Sequence, residues 1–151
     1  MRRGGRPDTL ARMGRRDGKG KGRRRKFKAA AAPRTQRTVK HRWRDYQTAS
    51  GRRPIKEFLA GLSDEDLASV VAAMKEVRQQ GLPAARHLDG DIYEVRADGT
   101  GVIYRILFAP RGARKQVFLS LQAIKKKTQK TPPSAIALAK RRLRDWEKRG
   151  Q

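Results

Sequence analysis

The chain contains no cysteine, which excludes disulfides and thiolate zinc sites and fits a reducing compartment. Histidine is nearly absent as well. His41 and His87 stand far apart without ligand spacing, and the carboxylates gather at helix starts and turns, so no metal and no other cofactor is expected. No apolar run approaches the length of a membrane span, which argues against a membrane partner. The basic N-terminus lacks the apolar stretch of a secretory signal, and a cytoplasmic protein is expected. A Walker-type phosphate loop is missing too. Negative charge is the scarcest commodity: 14 acidic residues face 39 lysines and arginines, a formal net charge of +25. That exceeds what solubility requires. It favours polyanions, with nucleic acid first and an anionic membrane surface second.

The charge is spread over two segments. Residues 1–37 hold 15 lysines and arginines against Asp8 and Asp17, a net +13. Beyond the initial Met1, Leu10, Met13 and Phe27 are their only sizeable apolar groups, too few to repay backbone ordering. A basic arm, disordered when free, is expected there; it reads either as a non-specific contact to nucleic acid or as an incidental extension. Residues 38–151 are then the folded domain, itself strongly basic.

Within that domain, His41 to Gln47 reads as a short strand in which Trp43 and Tyr46 serve either the core or base stacking. Pro54 suits a first helical position, and Gly61 ends the short helix that it opens. Ser63, followed by Asp64, Glu65 and Asp66, starts a second helix. Leu67, Val70, Val71, Met74 and Val77 recur along it at helical spacing until Gly81. The few residues between these helices predict a hairpin. LPAARHLDGD reads as a loop. Three strands follow, Ile92–Ala97, Val102–Phe108 and Gln116–Leu121, in an antiparallel meander. Alternation puts Tyr93, Val95, Val102, Tyr104, Ile106, Phe108, Val117, Leu119 and Leu121 on one apolar face. Glu94, Arg96, Ile103, Arg105, Leu107, Phe118, Ser120 and Gln122 then share the other. A last helix opens at Thr131-Pro132-Pro133, with Ile136, Ala139, Leu143 and Trp146 as its apolar stripe.

The chemistry gathers where the third strand ends. Lys125, Lys126, Lys127 and Lys130 fall within KKKTQKTP, just before the last helix. Arg96 and Arg105 emerge from neighbouring strands on one face. Flanked by Ile103 and Leu107, Arg105 either pairs with Glu94 or awaits a phosphate. Strand arginines and loop lysines can thus converge on a polyanion. The charged side of the last helix, including Arg141 and Arg142, offers further backbone contacts.

The succession GRRPIKEFLAGL, LDGDIYEVR, VIYRILF and KKKTQKTPPSAIALAKRRL resembles the phage-derived Gp49-like, HigB-type branch of the RelE/ParE toxin superfamily, over roughly residues 41–149. The resemblance implies an α+β fold: a RelE-like curved antiparallel sheet packed against an N-terminal helical hairpin, with a C-terminal helix. It implies a toxin neutralised by a small antitoxin, commonly a helix-turn-helix protein, and directed at mRNA on the ribosome without a metal. Arg96, Arg105, Lys126 and Lys127 match the family's catalytic cations. Lys125, Lys130, Arg141 and Arg142 would contact RNA. Tyr104 and Gln122 match supporting positions, with Gln122 standing where many relatives carry histidine.

The chemistry so implied is attack of a 2'-hydroxyl on the adjacent phosphate, which needs cations around the pentacoordinate phosphorus. Arg105→Ala is then expected to abolish toxicity in a folded protein. Two other readings share the same charge. One is a basic nucleic-acid-binding protein, or a relative that no longer cuts. The other is a gyrase-directed toxin of the ParE type.

Overall fold

The computed structural model describes residues 39–150. The expected basic arm, residues 1–37, lies outside them. In chain order the elements are β1 (Arg42–Asp45), α1 (Pro54–Ala60), α2 (Asp64–Gln80), a 3-10 turn (Leu82–Ala84), β2 (Arg86–Asp89), β3 (Ile92–Asp98), β4 (Ile103–Arg111), β5 (Val117–Lys126) and α3 (Pro133–Lys148). Local chemistry accounts for the helix ends. Pro54 fits the first turn of α1, where its missing N–H has no partner to lose. In α2, the Ser63 hydroxyl accepts from the Asp66 N–H at 3.2 Å, and three acids occupy the first turn. Gly81 stops α2 at φ 83°, a left-handed conformation that a side chain would strain. In α3, Pro133 stands at the start, and Ala135, Ala139, Leu143 and Trp146 form the buried stripe.

The strands form one sheet of order β1-β5-β4-β3-β2. β2, β3, β4 and β5 are antiparallel neighbours, whereas β1 runs parallel to β5, with Trp43 beside Phe118. The expected fold is therefore corrected. The sheet is open and mixed, not a curved antiparallel one, because β1 reaches the far edge by pairing with the last strand in the same direction. No N-terminal helical hairpin is established. α1 and α2 follow β1 and address different strands: α1 rests on β5 and α2 on β3. The segment expected to be a loop also supplies an edge strand, β2, which is only four residues long.

Both faces of the sheet are covered, so its strands carry two cores. Against α2, Val70, Met74 and Val77 meet Val95, Tyr104, Ile106, Phe108 and Phe118. Against α3, Ala139, Leu143 and Trp146 meet Ile92, Leu107, Ala109, Leu119 and Leu121. Phe108, Phe118 and Leu119 are fully buried, each worth roughly 1.5–3 kcal/mol of transfer free energy. Val71, placed by periodicity with the apolar stripe of α2, is instead 51% exposed.

The expected sorting of β5 is reversed over its first half. Val117 pairs with Arg111 and Leu119 with Ala109, on the side of Arg105. The register slips between Leu107 and Phe108, where Leu121 is left without a partner as a bulge. Beyond it, Gln122, Ile124 and Lys126 continue on the Arg105 side, opposite Leu107, Arg105 and Ile103. The bulge thus lets apolar Leu119 and Leu121 fill the core under α3 while the same face turns polar at the next residue, Gln122.

The N-terminal aromatics are structural. Trp43 donates from Nε1 to the Met74 carbonyl at 2.8 Å and packs edge-on against Phe108. The buried Tyr46 donates to Asp145 Oδ2 at 2.7 Å. Asp145 also accepts from Arg149, and these hydrogen bonds, Arg149 first and Tyr46 second, hold its carboxyl below the usual range. A depressed carboxyl contributes stability above its unfolded pKa, about 3.9, and that stability is lost on acidification through the lower folded value. Asp145→Asn is expected to flatten the acid limb of a stability–pH curve measured by urea unfolding.

Candidate functional site

Arg96 and Arg105 face each other in register on β3 and β4, and Glu94 sits opposite Leu107 one step along. All three belong to the sheet face that α3 covers, and the segment 127–132 crosses over them. Glu94 is fully buried and organises the cluster. Its Oε1 accepts from Arg96 Nε at 2.6 Å, and its Oε2 accepts from the Thr131 hydroxyl. Arg96 then donates from Nη1 to the Gln129 side chain at 3.3 Å and from Nη2 to the Gln129 carbonyl. Arg105 donates from Nη1 to Thr131 Oγ1 at 3.3 Å and from Nη2 to the Thr128 carbonyl. Three sheet side chains, Glu94, Arg96 and Arg105, therefore clamp a loop that has no regular structure of its own.

Arg105 is fully buried. Its Nε has no hydrogen-bond partner among the described residues. Burial pushes its pKa down, repulsion from Arg96 adds to this, and Glu94 opposes it; a guanidinium nevertheless stays charged at neutral pH. The sequence left open whether Arg105 pairs with Glu94 or waits for a phosphate. In the structure Glu94 binds Arg96 and Thr131, while Arg105 holds the loop. Its charge acts from beneath the loop, whereas Arg96 is partly exposed.

The lysines divide around this clamp. Lys125 and Lys126 still belong to β5, opposite Tyr104 and Ile103, so they point to different faces. Lys127 and Lys130 lie in the loop, and all four are exposed. On one side of the loop, Arg86, Leu88, Arg96, Gln129, Lys130, Thr131 and Ile136 line a groove of about 340 Å³. On the other, Gln122, Ile124, Lys126, Pro132, Arg141 and the first turns of α3 line one of about 370 Å³. The sequence thus brings Arg96 and Lys130 to one groove, and Lys126, Gln122 and Arg141 to the other.

Two predicted site residues are occupied elsewhere. Arg142 donates to the Leu121 carbonyl at 2.7 Å and to Gln122 Oε1 at 3.1 Å, and it lies over the Tyr46 ring. It braces α3 on β5. Tyr104 lies on the α2 face and donates to Asp66 Oδ2 at 2.6 Å, a bond that pushes its hydroxyl pKa up. Tyr104→Phe is accordingly expected to lower Tm by a few degrees and leave any RNA-directed activity intact, read by thermal unfolding beside a growth assay.

Sequence reasoning missed Arg86, Gln129 and Thr131. Arg86 sat in a segment read as loop, and only its register opposite Glu94 brings it to the groove. Thr131 was legible only as a helix-flanking residue, yet it is buried between Arg105 and Glu94. No three His, Asp or Glu side chains come together as a metal-binding group among the described residues. No helix among them is long and apolar enough to cross a membrane.

No curated protein matches the chain. One family does, over residues 57–144, more than half of the sequence, from the second half of α1 through most of α3. Those residues include both strand arginines, the clamped loop and the two grooves beside it, and on that match the chain belongs to the family described as Phage derived protein Gp49-like (DUF891).

Proposed function

We propose that this protein is the toxin of a type II toxin–antitoxin pair and acts as a metal-independent, ribosome-dependent mRNA endoribonuclease. The observation that carries this reading is the loop 127–132, fixed by Arg96, Arg105 and Glu94 with exposed cations on both of its sides. A fixed loop costs little reorganisation when charge builds on a phosphate. In the reaction, a ribose 2'-hydroxyl gives up its proton to solvent as its oxygen bonds to the adjacent phosphorus, and the P–O5' bond breaks. The products are a 2',3'-cyclic phosphate and a 5'-hydroxyl that has taken up a proton. Arg96 would face the nonbridging oxygens from its groove, Lys127 in the loop would face the leaving oxygen, and Arg105 would add positive potential from below. The Gp49-like membership and the resemblance of the motifs to HigB-type toxins support a small helix-turn-helix antitoxin as partner.

The test is induced expression followed by mapping of mRNA ends on ribosomes. Growth arrest with new ends inside coding sequence, relieved by the neighbouring antitoxin gene, is the expected result. Arrest with intact mRNA would overturn the cleavage step. A second reading, RNA binding without cleavage, draws on the burial of Arg105 and the neutralisation of Arg96 by Glu94. It predicts salt-dependent RNA binding with neither arrest nor new ends.

A further inference from the structure

We infer that the groove between β2, the loop 127–132 and the start of α3 holds one nucleotide of a single-stranded RNA, with its phosphate on Arg86 and Lys130 and its base and ribose against Leu88 and Ile136. This rests on the reading of the protein as RNA-directed and adds a subsite with a residue, Arg86, that neither the motifs nor the clamp includes.

The charge balance of the groove points to an anion. Arg86 is exposed and makes no ion pair or side-chain hydrogen bond with another described residue. Its cross-strand partner Glu94 is already used twice, by Arg96 and by Thr131. The nearest acid on its own strand, Asp89, is engaged by Lys140 of α3. Lys130 is likewise exposed on the loop. Arg86 and Lys130 thus face a cavity with no carboxylate in its lining, beside the inward-turned charge of Arg96.

The walls identify the class of anion. Leu88 and Ile136 are partly buried and packed against the core under α3, so they give the groove a firm apolar side next to its cationic rim. A free phosphate has no use for that side. A nucleotide does, since its base and sugar can lie on aliphatic carbon or on a guanidinium plane while the phosphate takes the cations. The volume, about 340 Å³, lies at the small end of the range for sites that enclose a ligand, about 300–1,000 Å³, which suits a single nucleotide unit. A base in a duplex would not be free to enter, so the strand is single at this point.

The full chain carries much basic surface, so the experiment needs a local readout. Methyl groups of Leu88 and Ile136 would be followed by NMR during titration with the uridine trinucleotide UpUpU. Both are expected to shift in the wild type. Arg86→Ala is expected to weaken the apparent affinity at these methyls about tenfold, equivalent to about 1.4 kcal/mol. Arg114→Ala, an exposed change in the β4–β5 connection, is expected to leave it within about twofold, the range of surface substitutions. With inorganic phosphate in place of the trinucleotide, the two methyls are expected to stay still. Equal shifts with phosphate alone would overturn the nucleotide occupant. Shifts elsewhere in the protein but not at Leu88 and Ile136, or an Arg86→Ala titration like that of the wild type, would overturn the subsite and leave RNA binding standing. If no signal in the protein responds to the trinucleotide, the RNA-directed reading falls and the subsite falls with it.

Discussion

Glu94→Ala is expected to be the most damaging single change in the folded domain, lowering stability by about 3–5 kcal/mol. Glu94 is the acid among the buried partners of the clamp and is fully inaccessible to water. Removing it leaves Arg105 and Arg96 adjacent across β3 and β4 with no negative charge between them, and it takes the acceptor from the Thr131 hydroxyl. The loss matches breaking a buried ion pair from one side, in which the penalty comes from the charge left behind. On a domain of this size, such a loss shifts Tm by more than about 10 °C. Glu94→Gln keeps the shape and one acceptor oxygen, so it is expected to fall between the two. Thermal and urea unfolding of all three proteins decides the matter. A wild-type Tm for the alanine variant would mean that the carboxylate does not hold the clamp together.

The sequence stated the helices more fully than the sheet, for a reason visible in particular residues. The α2 cap at Ser63, its acids and its stop at Gly81 are local, and local chemistry is legible in one dimension. The first strand's partner is not. β1 pairs with a strand more than seventy residues later and in parallel, so the antiparallel expectation had nothing local to correct it. The phase of β5 failed for a similar reason. Val117 and Phe118 are both apolar and each fits a core, so alternation alone could not decide which joins Phe108. Packing helices on both faces of the sheet removes the contrast between inside and outside on which alternation depends. The bulge at Leu121 then restores Gln122 and Lys126 to the side first expected for Gln122.

The candidate site was legible as a set of cations but not as a clamp. KKKTQKTP and the two strand arginines mark a place for polyanions by composition and order. That Arg105 would be spent on loop carbonyls depends on how the chain returns after Lys126, and Thr131 and Gln129 give no charge signal of that closure. Burial of a guanidinium is costly, so Arg105 is stable there only because the loop supplies oxygen acceptors. The same contacts that fix the loop therefore withhold Arg105 from direct contact with a ligand in this conformation.

Arg105→Ala is expected to abolish toxicity, and the structure changes the reason expected from the sequence. The alanine variant loses a charge beneath the groove and also the bonds to Thr128 and Thr131. Electrostatic removals at sites of this kind cost about 10²–10³-fold in rate, and release of the loop adds to that by freeing Lys127 and Lys130 from one arrangement. Arg105→Lys separates the two contributions. It keeps the charge but cannot reproduce a planar fork that reaches a hydroxyl and a carbonyl at once. Both variants are expected to show faster amide exchange at Gln129 and Lys130 than the wild type, with the sheet still protected, and both are expected to be non-toxic on induction. Full cleavage by the lysine variant, with the loop nonetheless exchanging fast, would assign Arg105 to charge alone. A folded alanine variant with undiminished toxicity would remove Arg105 from the site. On the proposed function, a residue with no exposed surface would act through the clamp: it would set where the loop lysines stand, and a lysine a few ångströms out of place would no longer meet the phosphate.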